Sequence, residues 1–584
     1  KAAAASPPPQ LSAAARKRRA KEAGEEYTPT KKKKKKKKSS SSSSSSKSKR
    51  KNTTPIYINL EQCKYQSVAD CAEGQGWALC EDDDGLDWNV YWTDTSVSAQ
   101  RVMRLAKHQK INHFPGMRAI THKVPLAKNM MRMVRAFPAE YAHVPKSWAL
   151  PTEQKLFRKK FSTKTGQAFS KKTYILKPDH ACQGKGIVMC RTWDQVNAAL
   201  AGVGPGETMV AQEYVTDPLL IDGHKFDLRV YALVLSVDPL RIMLYDDGLV
   251  RICAVKYKNP TAKAVREGID RTAHLTNYAV NKRHEAFEFN DSVEASGVGN
   301  KRTIRWFRSW LEEKGHDSVA AWTRVADLVN RTLLAIQPQL QHTYRTVIPD
   351  PEDVGFSCFE LLGFDVMFRK DLSPVLVEVN HSPSLTCDTP LDRDVKYGLL
   401  SEIMKLVKVS SGDRRREQAR TAAGAQSRLY ASSRPNAESS EREHILRDNA
   451  AATRLRKRRS YEQRVSKNFH LIMPTDEAVA WAARKEMAWA ASKEMAFPDP
   501  TAPSTSPGVV GGGAGCVGEG KGGERMNGGR IDGGGDGGSK HARALVPPEA
   551  QAPAPAPAPR VVRKKKAPPQ ILPDASILTD GGAK

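Results

Sequence analysis

Residues 358–391, CFELLGFDVMFRKDLSPVLVEVNHSPSLTCDTPL, restrict what this chain can fold into more than any other stretch. Phe364–Phe368 and Val375–Val379 are short β-branched and aromatic runs that read as strands, and Arg369–Pro374 between them has the composition of a tight turn. Side chains alternate faces along a strand, so Glu378 and Asn380 point the same way. A hairpin turning near Asp371 sets Asp365 opposite Glu378. Two carboxylates and one amide oxygen then converge at one end of a hydrophobic sheet. Hard oxygen ligands of this kind suit Mg²⁺, which takes one or two carboxylates together with substrate phosphates. The alternative is a pair of buried strands that end in polar residues.

Only the middle of the chain can bury such a sheet. Aromatic and branched apolar residues concentrate between about Pro55 and Val409, enough for a core in two or three lobes. Residues 1–54 carry Arg16–Arg19, eight consecutive lysines (Lys31–Lys38) and eight serines, and cannot pack a core. This segment reads as a solvated basic tail, a nuclear localisation signal or a tether to an acidic partner. Residues 410–470 are rich in Arg, Ala, Glu and Gln and suggest basic helices, or a segment that orders on an acidic surface. Residues 471–584 turn to Gly, Pro and Ala and read as a disordered tail. The net charge of +29 calls for a polyanionic partner without choosing among nucleic acid, membrane and acidic protein. Nine cysteines stand singly with no CxxC, as expected of reduced intracellular thiols. No stretch is long and apolar enough for a membrane span, and no signal peptide is visible.

Within the middle, Ile56–Leu60, Trp77–Leu79 and Trp88–Trp92 read as strands of a small α/β lobe, with Glu81–Gly85 as a turn. Leu126–Met133 looks helical. Its neighbourhood carries Arg118, Lys123, Lys128 and Arg132, which spacing assigns to a solvated face in preference to a substrate groove. Tyr174–Pro178 is a strand containing Lys177, followed by a glycine-bearing turn, Gln183–Gly186, and another strand. Glycines let backbone N–H groups approach a phosphate, and Lys177 or Lys185 can neutralise it. The spacing is neither that of a Walker loop nor of a dinucleotide-binding turn. Met209–Val215 is a further strand. In Ile221–Val234, Lys225, Asp227 and Arg229 share one face while Phe226, Leu228 and Val230 share the other. That is charge facing a cleft and backed by core, or a surface ion-pair ladder. Ile242–Tyr245 and Leu249–Ala254 read as a hairpin around Asp246-Asp247-Gly248. His274–Lys282 is a strand or loop with polar groups able to bind a ligand. Arg302–Lys314, Ala320–Ile336 and Leu399–Val409 are helices by period.

Taken together, NHFPGM, LLIDGHKFDLRVYALV, HLTNYAVNK, CFELLGFDV and LVEVNHSPSL, in this order between Pro55 and Val409, resemble the tubulin tyrosine ligase-like family of ATP-grasp amino-acid ligases. The subgroup most alike is the tubulin polyglutamylases. The resemblance implies an α/β, multi-lobed core over residues 55–409 with nucleotide between lobes, flanked by the basic and Gly/Pro-rich tails. It assigns Lys177, Gln183, Gly184 and Lys225 to the phosphates of ATP. Gln212, Glu213, Tyr214 and Val215 become the edge that reads adenine, and Phe226, Asp227, Thr276 and Asn277 further parts of the nucleotide site. Asp365, Glu378 and Asn380 match the ligands of Mg²⁺, two ions in all. Arg251, Tyr278 and Lys396 align with residues that hold the incoming L-glutamate, and Arg229 stands near the γ-phosphate and the acceptor carboxylate.

The chemistry implied is ATP-dependent activation of an acceptor carboxylate to an acyl-phosphate, then attack by the amine of glutamate. Gln183 and His381 resemble chain-elongating members. Segment 410–470 occupies the place of a microtubule-binding extension, and its charge suits glutamate-rich tubulin tails. The implied setting is a monomer in the cytoplasm on the cytoskeleton, or in a cilium. Rival readings are a glycylase or tyrosine ligase, a non-catalytic microtubule-binding protein, or a nucleic-acid binder. Arg251 and Lys396 favour a substrate with a side-chain carboxylate. The intact carboxylates and lysines disfavour a dead ligase, and no nucleic-acid motif supports the last reading.

Overall fold

A computed structural model describes residues 55–80, 88–164, 167–181, 183–204, 206–290, 297–350, 353, 355–430 and 437–474. The expected turn Glu81–Gly85, the basic tail 1–54 and residues 475–584 lie outside them. Among the described residues, no helix is long and apolar enough to cross a membrane.

Three sheets follow one another along the chain. The first is parallel, in the order β2-β1-β3-β4, from β1 (Tyr57–Asn59), β2 (Ala78–Cys80), β3 (Val90–Tyr91) and β4 (Lys110–Ile111). The helix Gln66–Gly74 supplies the crossover that parallel neighbours require. The second is antiparallel: β5 (Ser147–Leu150), β6 (Ser162–Lys164), β7 (Gln167–Pro178), β8 (Val188–Thr192) and β9 (Met209–Glu213), with β7 central. Trp148, Phe157, Phe161 and Tyr174 fill its small core. The helix Trp193–Ala201 packs on this sheet and opens with a capping box, in which Thr192 Oγ1 accepts the Gln195 N–H and the Gln195 side chain accepts the Thr192 N–H.

The third sheet carries the site. It runs β13-β12-β11-β14-β15, with β10 added on β11 and β16 on β12. Its strands are β10 (Leu220–Ile221), β11 (His224–Val237), β12 (Leu240–Lys256), β13 (Lys301–Thr303), β14 (Glu360–Phe368), β15 (Pro374–Asn380) and β16 (Phe469–Met473). Phe226, Leu228 and Val230 are fully buried with Phe307, Leu311, Val325 and Leu328 from the helices Ile304–Glu313 and Ser318–Leu334. The other face is divided along β11. Tyr231, Leu233 and Leu235 pack under the helix Pro390–Leu406 and the first sheet. Lys225 and Asp227, nearer its start, line a cleft, and Arg229 on the same side turns to Asp365. The alternation read from the sequence therefore holds for half the strand and gives way to two-sided burial beyond Val230.

Four expectations are corrected. Asp246-Asp247-Gly248 is no hairpin turn: β12 continues through it as one 17-residue strand. Pairing on both sides overrides the turn propensity, and the Asp246 N–H donates to the Asn468 carbonyl at 2.8 Å. The triplet instead absorbs a register shift opposite Val230–Ala232. Asp247 turns inward, accepts the Gly248 and Arg305 N–H groups at 2.9 and 3.2 Å, and so anchors the start of the helix Ile304–Glu313. His274–Lys282 contains no strand; Arg271–His274 and Tyr278–Asn281 are short helical turns. Asn281 locks them to β12, donating to Leu275 O at 2.7 Å and accepting the Ala254 N–H at 2.8 Å. The closing helix begins at Pro390 rather than Leu399, because Thr389 caps it and Pro390 fits its first turn.

The fourth correction concerns the expected tail from 471. The basic segment forms the helices Asp413–Tyr430 and Ala437–Val465, then returns to the third sheet as β16, which buries Phe469 and Met473. Arg458, within the basic run Arg454–Arg459, is buried. It pairs with Glu462 at 2.5 Å and donates to the last carbonyls of the helix Pro390–Leu406. Arg241 of β12 pairs with the same Glu462. Glu402 receives the N–H groups of Lys467, Asn468 and Phe469, the turn into β16.

Two outcomes follow for stability. A Cβ at Gly248 would collide with the Arg229 carbonyl and approach Ile304 Cδ1 to 2.8 Å; Gly248→Ala is expected to cost about 1–3 kcal/mol by overpacking, read from the urea midpoint. Glu462→Ala strands two buried guanidiniums and is expected to cost about 3–5 kcal/mol, whereas Glu285→Ala on the surface leaves the thermal midpoint unchanged.

Candidate active site

The cleft lies between the second and third sheets and encloses about 980 Å³ open to solvent. An apolar slot forms one end. Ile175, Ile187, Tyr214 and Leu275 stand on one side of it and Val215, Met367 and Val375 on the other. Its edge is the chain Gln212–Val215, where β9 leaves the second sheet. The polar end gathers Lys123, Lys177, Gln183, Gly184, Lys225, Asp227, Thr276, Asn277, Asp365, Glu378 and Asn380. Most candidates taken from six separate stretches of sequence thus line one cavity.

Strand register explains the polar end. Across the sheet Arg251 faces Asp227, Arg229 faces Asp365, and Asp365 faces Glu378. The Asp365–Glu378 pairing is the one expected from the hairpin. Arg229 Nε donates to Asp365 at 2.6 Å, and Arg251 Nη2 reaches Asp365 at 2.8 Å and Asp227 at 2.6 Å. Thr276 Oγ1 donates to Asp227 at 2.5 Å. Burial alone would raise the Asp365 pKa; the two guanidiniums overcome it and hold the carboxyl well below the usual range. Glu378 goes the other way, raised by burial and then by the charge of Asp365. One carboxyl is firmly ionised and its neighbour is held back from ionising. A hard divalent cation between them would relieve that frustration, and the donor set of Asp365, Glu378 and the Asn380 amide fits such an ion. Asn380 Nδ2 donates to Gly363 O at 3.2 Å, which leaves the amide oxygen as its ligand atom.

Two buried ammonium groups face these carboxylates. Lys177 Nζ donates to Gln212 at 2.9 Å, and Lys225 Nζ to the Tyr214 hydroxyl at 3.0 Å and His274 O at 2.8 Å. Burial lowers each pKa to about 8. Among the described residues neither lysine has a carboxylate in direct contact, so their charge is available to an anion in the cleft. Gln183 and Gly184 both take positive φ, 57° and 75°, which folds the turn over the cleft. A Cβ at Gly184 would come within 3.0 Å of Asn277 Oδ1, so the close approach of the turn to Asn277 requires glycine.

Several placements differ from the sequence reading. Phe226 points into the core on the opposite face and touches no part of the cleft, because β-strand alternation places it between Lys225 and Asp227. Lys123, assigned to a solvated face, lines the cleft and donates to Ala181 O at 2.8 Å, whereas Arg118, Lys128 and Arg132 are exposed as expected. Lys185 is exposed, which leaves Lys177 as the lysine at the phosphate-approachable turn. His381 sits beside the cleft against His113, ring centroids 5.7 Å apart, its pKa lowered to about 4 by burial and then by His113.

Arg251, Tyr278 and Lys396 do come together, next to the cleft. The sequence reading missed Lys301, the register partner of Arg251. Lys301 Nζ lies 4.0 Å from the Tyr278 ring centroid and 2.6 Å from Asp392, which Lys396 also contacts at 2.9 Å. Only the pairing of β12 with β13 reveals it, since 50 residues separate it from Arg251.

Comparison with known proteins gives this arrangement a lineage. Residues 101–417 match the tubulin-tyrosine ligase family. The chain is 43% identical over 365 residues to the tubulin polyglutamylase ttll6 of Danio rerio, covering 62% of this chain and 43% of that protein. It is 42% identical over 363 residues to tubulin polyglutamylase TTLL13 of Mus musculus, 62% of this chain and 42% of that one. A probable beta-tubulin polyglutamylase of Tetrahymena thermophila is 39% identical over 331 residues, 57% of this chain and 26% of that one. The chain spans less than half the length of these curated relatives. The family match covers more than half of the 584 residues, and the protein with this ATP-grasp-like cleft belongs to the tubulin-tyrosine ligase family.

Proposed function

We propose that the chain is an ATP-dependent ligase that joins L-glutamate to glutamate side chains or glutamate chains on tubulin C-terminal tails. The observation that carries this reading is the ladder Arg251–Asp227, Arg229–Asp365–Glu378 facing two buried lysines across one cleft. The names of the relatives supply the substrate.

In this reading the apolar slot takes the adenine ring of ATP against the edge Gln212–Val215, and Asp227, Thr276 and Asn277 flank the sugar. Lys177, Lys225 and the Gln183–Gly184 turn hold the phosphates. Asp365, Glu378 and Asn380 hold Mg²⁺, two ions in all; these would draw charge from the phosphates as transfer proceeds. Arg229 offers its remaining donors to the acceptor carboxylate and to the charge that develops on the transferring phosphoryl group. The acceptor becomes an acyl-phosphate, the amine of free glutamate attacks its carbonyl, and phosphate leaves with the bonding pair. Arg251, Lys301, Lys396 and Tyr278 receive the carboxylates of the incoming glutamate. Three cations there suit a diacid better than glycine or tyrosine. Gln183 and His381 lie where the acceptor enters and support chain elongation. The segment 410–470, tied to the core by β16, presents its exposed arginines to glutamate-rich tails. The setting is the cytoplasmic cytoskeleton, cilia included, and the chain acts as a monomer.

Mass spectrometry of microtubules incubated with the protein, MgATP and L-glutamate is expected to show additions of glutamate residues, with fragment ions reporting α- or γ-linkage. Glu378→Gln abolishes them; no additions from the wild type on either bare or glutamylated tubulin would overturn the reading. A second outcome concerns pH. Lys225 must be protonated to pair with phosphate, and its pKa in the free protein is about 8. ATP affinity is therefore expected to be flat below that pH and to fall above it, by up to about tenfold per pH unit for each lysine that deprotonates. Lys225→Arg, charged throughout, shallows the fall, measured by titration calorimetry from roughly pH 7 to pH 9.5.

A further inference from the structure

Beside the mouth of the cleft, and apart from the carboxylates within it, His122, Asp179 and His180 stand together. Each offers one donor atom, and the three atoms lie within 4.8 Å of one another. His122 is the residue from which the helix Lys123–Ala136 starts. Asp179 and His180 follow directly on β7 and lead into the Gln183–Gly186 turn. The two imidazoles meet edge to face with centroids 5.7 Å apart, so their nitrogens can address a common point. Asp179 is already oriented: Oδ1 accepts the Val124 N–H at 3.0 Å, and the second oxygen is left for another partner. Arg118 Nε donates to His122 Nε2 at 3.2 Å, so that ring presents a lone pair as a metal ligand must.

We propose that His122, Asp179 and His180 bind Zn²⁺, and that the ion ties the helix Lys123–Ala136 to the turn over the cleft. Two imidazoles and one carboxylate with an open fourth position are the donor set of a borderline divalent ion, whereas Asp365, Glu378 and Asn380 form a hard oxygen set without imidazole. Tetrahedral Zn²⁺ with bonds near 2.0–2.1 Å needs donors about 3.3 Å apart. The three donors therefore close by no more than about 1.5 Å from the 4.8 Å observed. His180 is exposed and free to swing that far. Arg118, also exposed, can yield its hydrogen bond, and Lys123 is committed to Ala181 O on the inner side. Gln183 and Gly184 line the cleft only a few residues beyond His180, so occupancy of the site restrains the turn. Zinc thereby becomes a regulator of access to the cleft, held by groups that take no part in the proposed chemistry.

The test is a Zn²⁺ titration of the full chain against a chromophoric chelator in excess Mg²⁺, with Co²⁺ as a visible-absorbing substitute. One equivalent of Zn²⁺ is expected to bind to the wild type and to His224→Gln, whose histidine lies elsewhere with Nδ1 2.9 Å from Cys253 O. His122→Ala and His180→Ala are each expected to weaken that binding by about 100-fold and to erase the Co²⁺ absorption. Because His180 is exposed, His180→Ala is expected to melt with the wild type in the absence of metal, which separates loss of the site from loss of fold. Zn²⁺ should also slow amide hydrogen exchange at Gln183–Gly186 in the wild type alone. Equal Zn²⁺ binding by the wild type and the His122→Ala/His180→Ala double variant, displacement of Zn²⁺ by Mg²⁺, or no tight equivalent in the wild type would each overturn the assignment.

Discussion

The double pairing of Asp365 with Arg229 and Arg251 is the interaction on which the rest of the site depends. A carboxylate that is 1% exposed would be neutral without compensation. The guanidiniums that compensate it come from two different strands, β11 and β12, and both are themselves only partly exposed. The acid cannot ionise without them, and Arg251 is shared with a second carboxylate, Asp227. Such an arrangement adds little net stability over an apolar core, but it fixes the register of three strands, because a slip by one residue would place every member on the wrong face. Burial raises the Glu378 pKa, and that fixed charge raises it further. The same register delivers Lys301 beside Arg251.

The packing behind the ladder explains why it can be held so rigidly. On one face of the third sheet, Phe226, Leu228 and Val230 are clamped by two helices. On the other, the cleft occupies only the part of β11 before Tyr231, after which the helix Pro390–Leu406 covers the strand. The chain beyond that helix closes the far edge through β16, with Glu462 and Glu402 as buried anchors. The basic segment is therefore fastened to the sheet that bears the ladder at its C-terminal end, while Glu417 near its start accepts the N–H groups of Lys107 and His108.

Much of the site was legible before any coordinates. The alternation in Lys225–Val230, the hairpin placing Asp365 opposite Glu378, and the ordered motifs all rest on period-2 geometry and on short sequence separations. The misreadings have a common cause. Asp246-Asp247-Gly248 has turn composition, and only its pairing with β11 and β16 makes it strand. Phe226 belonged to a motif shared with ligand-binding neighbours, yet strand alternation sends it to the core. Lys123 looked like one more cation on a helix, and the position of the turn after β7 decides that it faces inward.

The sequence by itself determined most of the local elements, the charge of the tails and which charged side chains share a strand face, because these follow from propensity, period and composition over a few residues. Tertiary structure alone decided which distant groups meet. Arg229 and Asp365 are 136 residues apart, Arg241 and Glu462 221. No local pattern encodes such pairs; they exist because three sheets bury one another's faces, and burial is what turns a lysine at a strand end or a run of arginines into a perturbed, positioned charge.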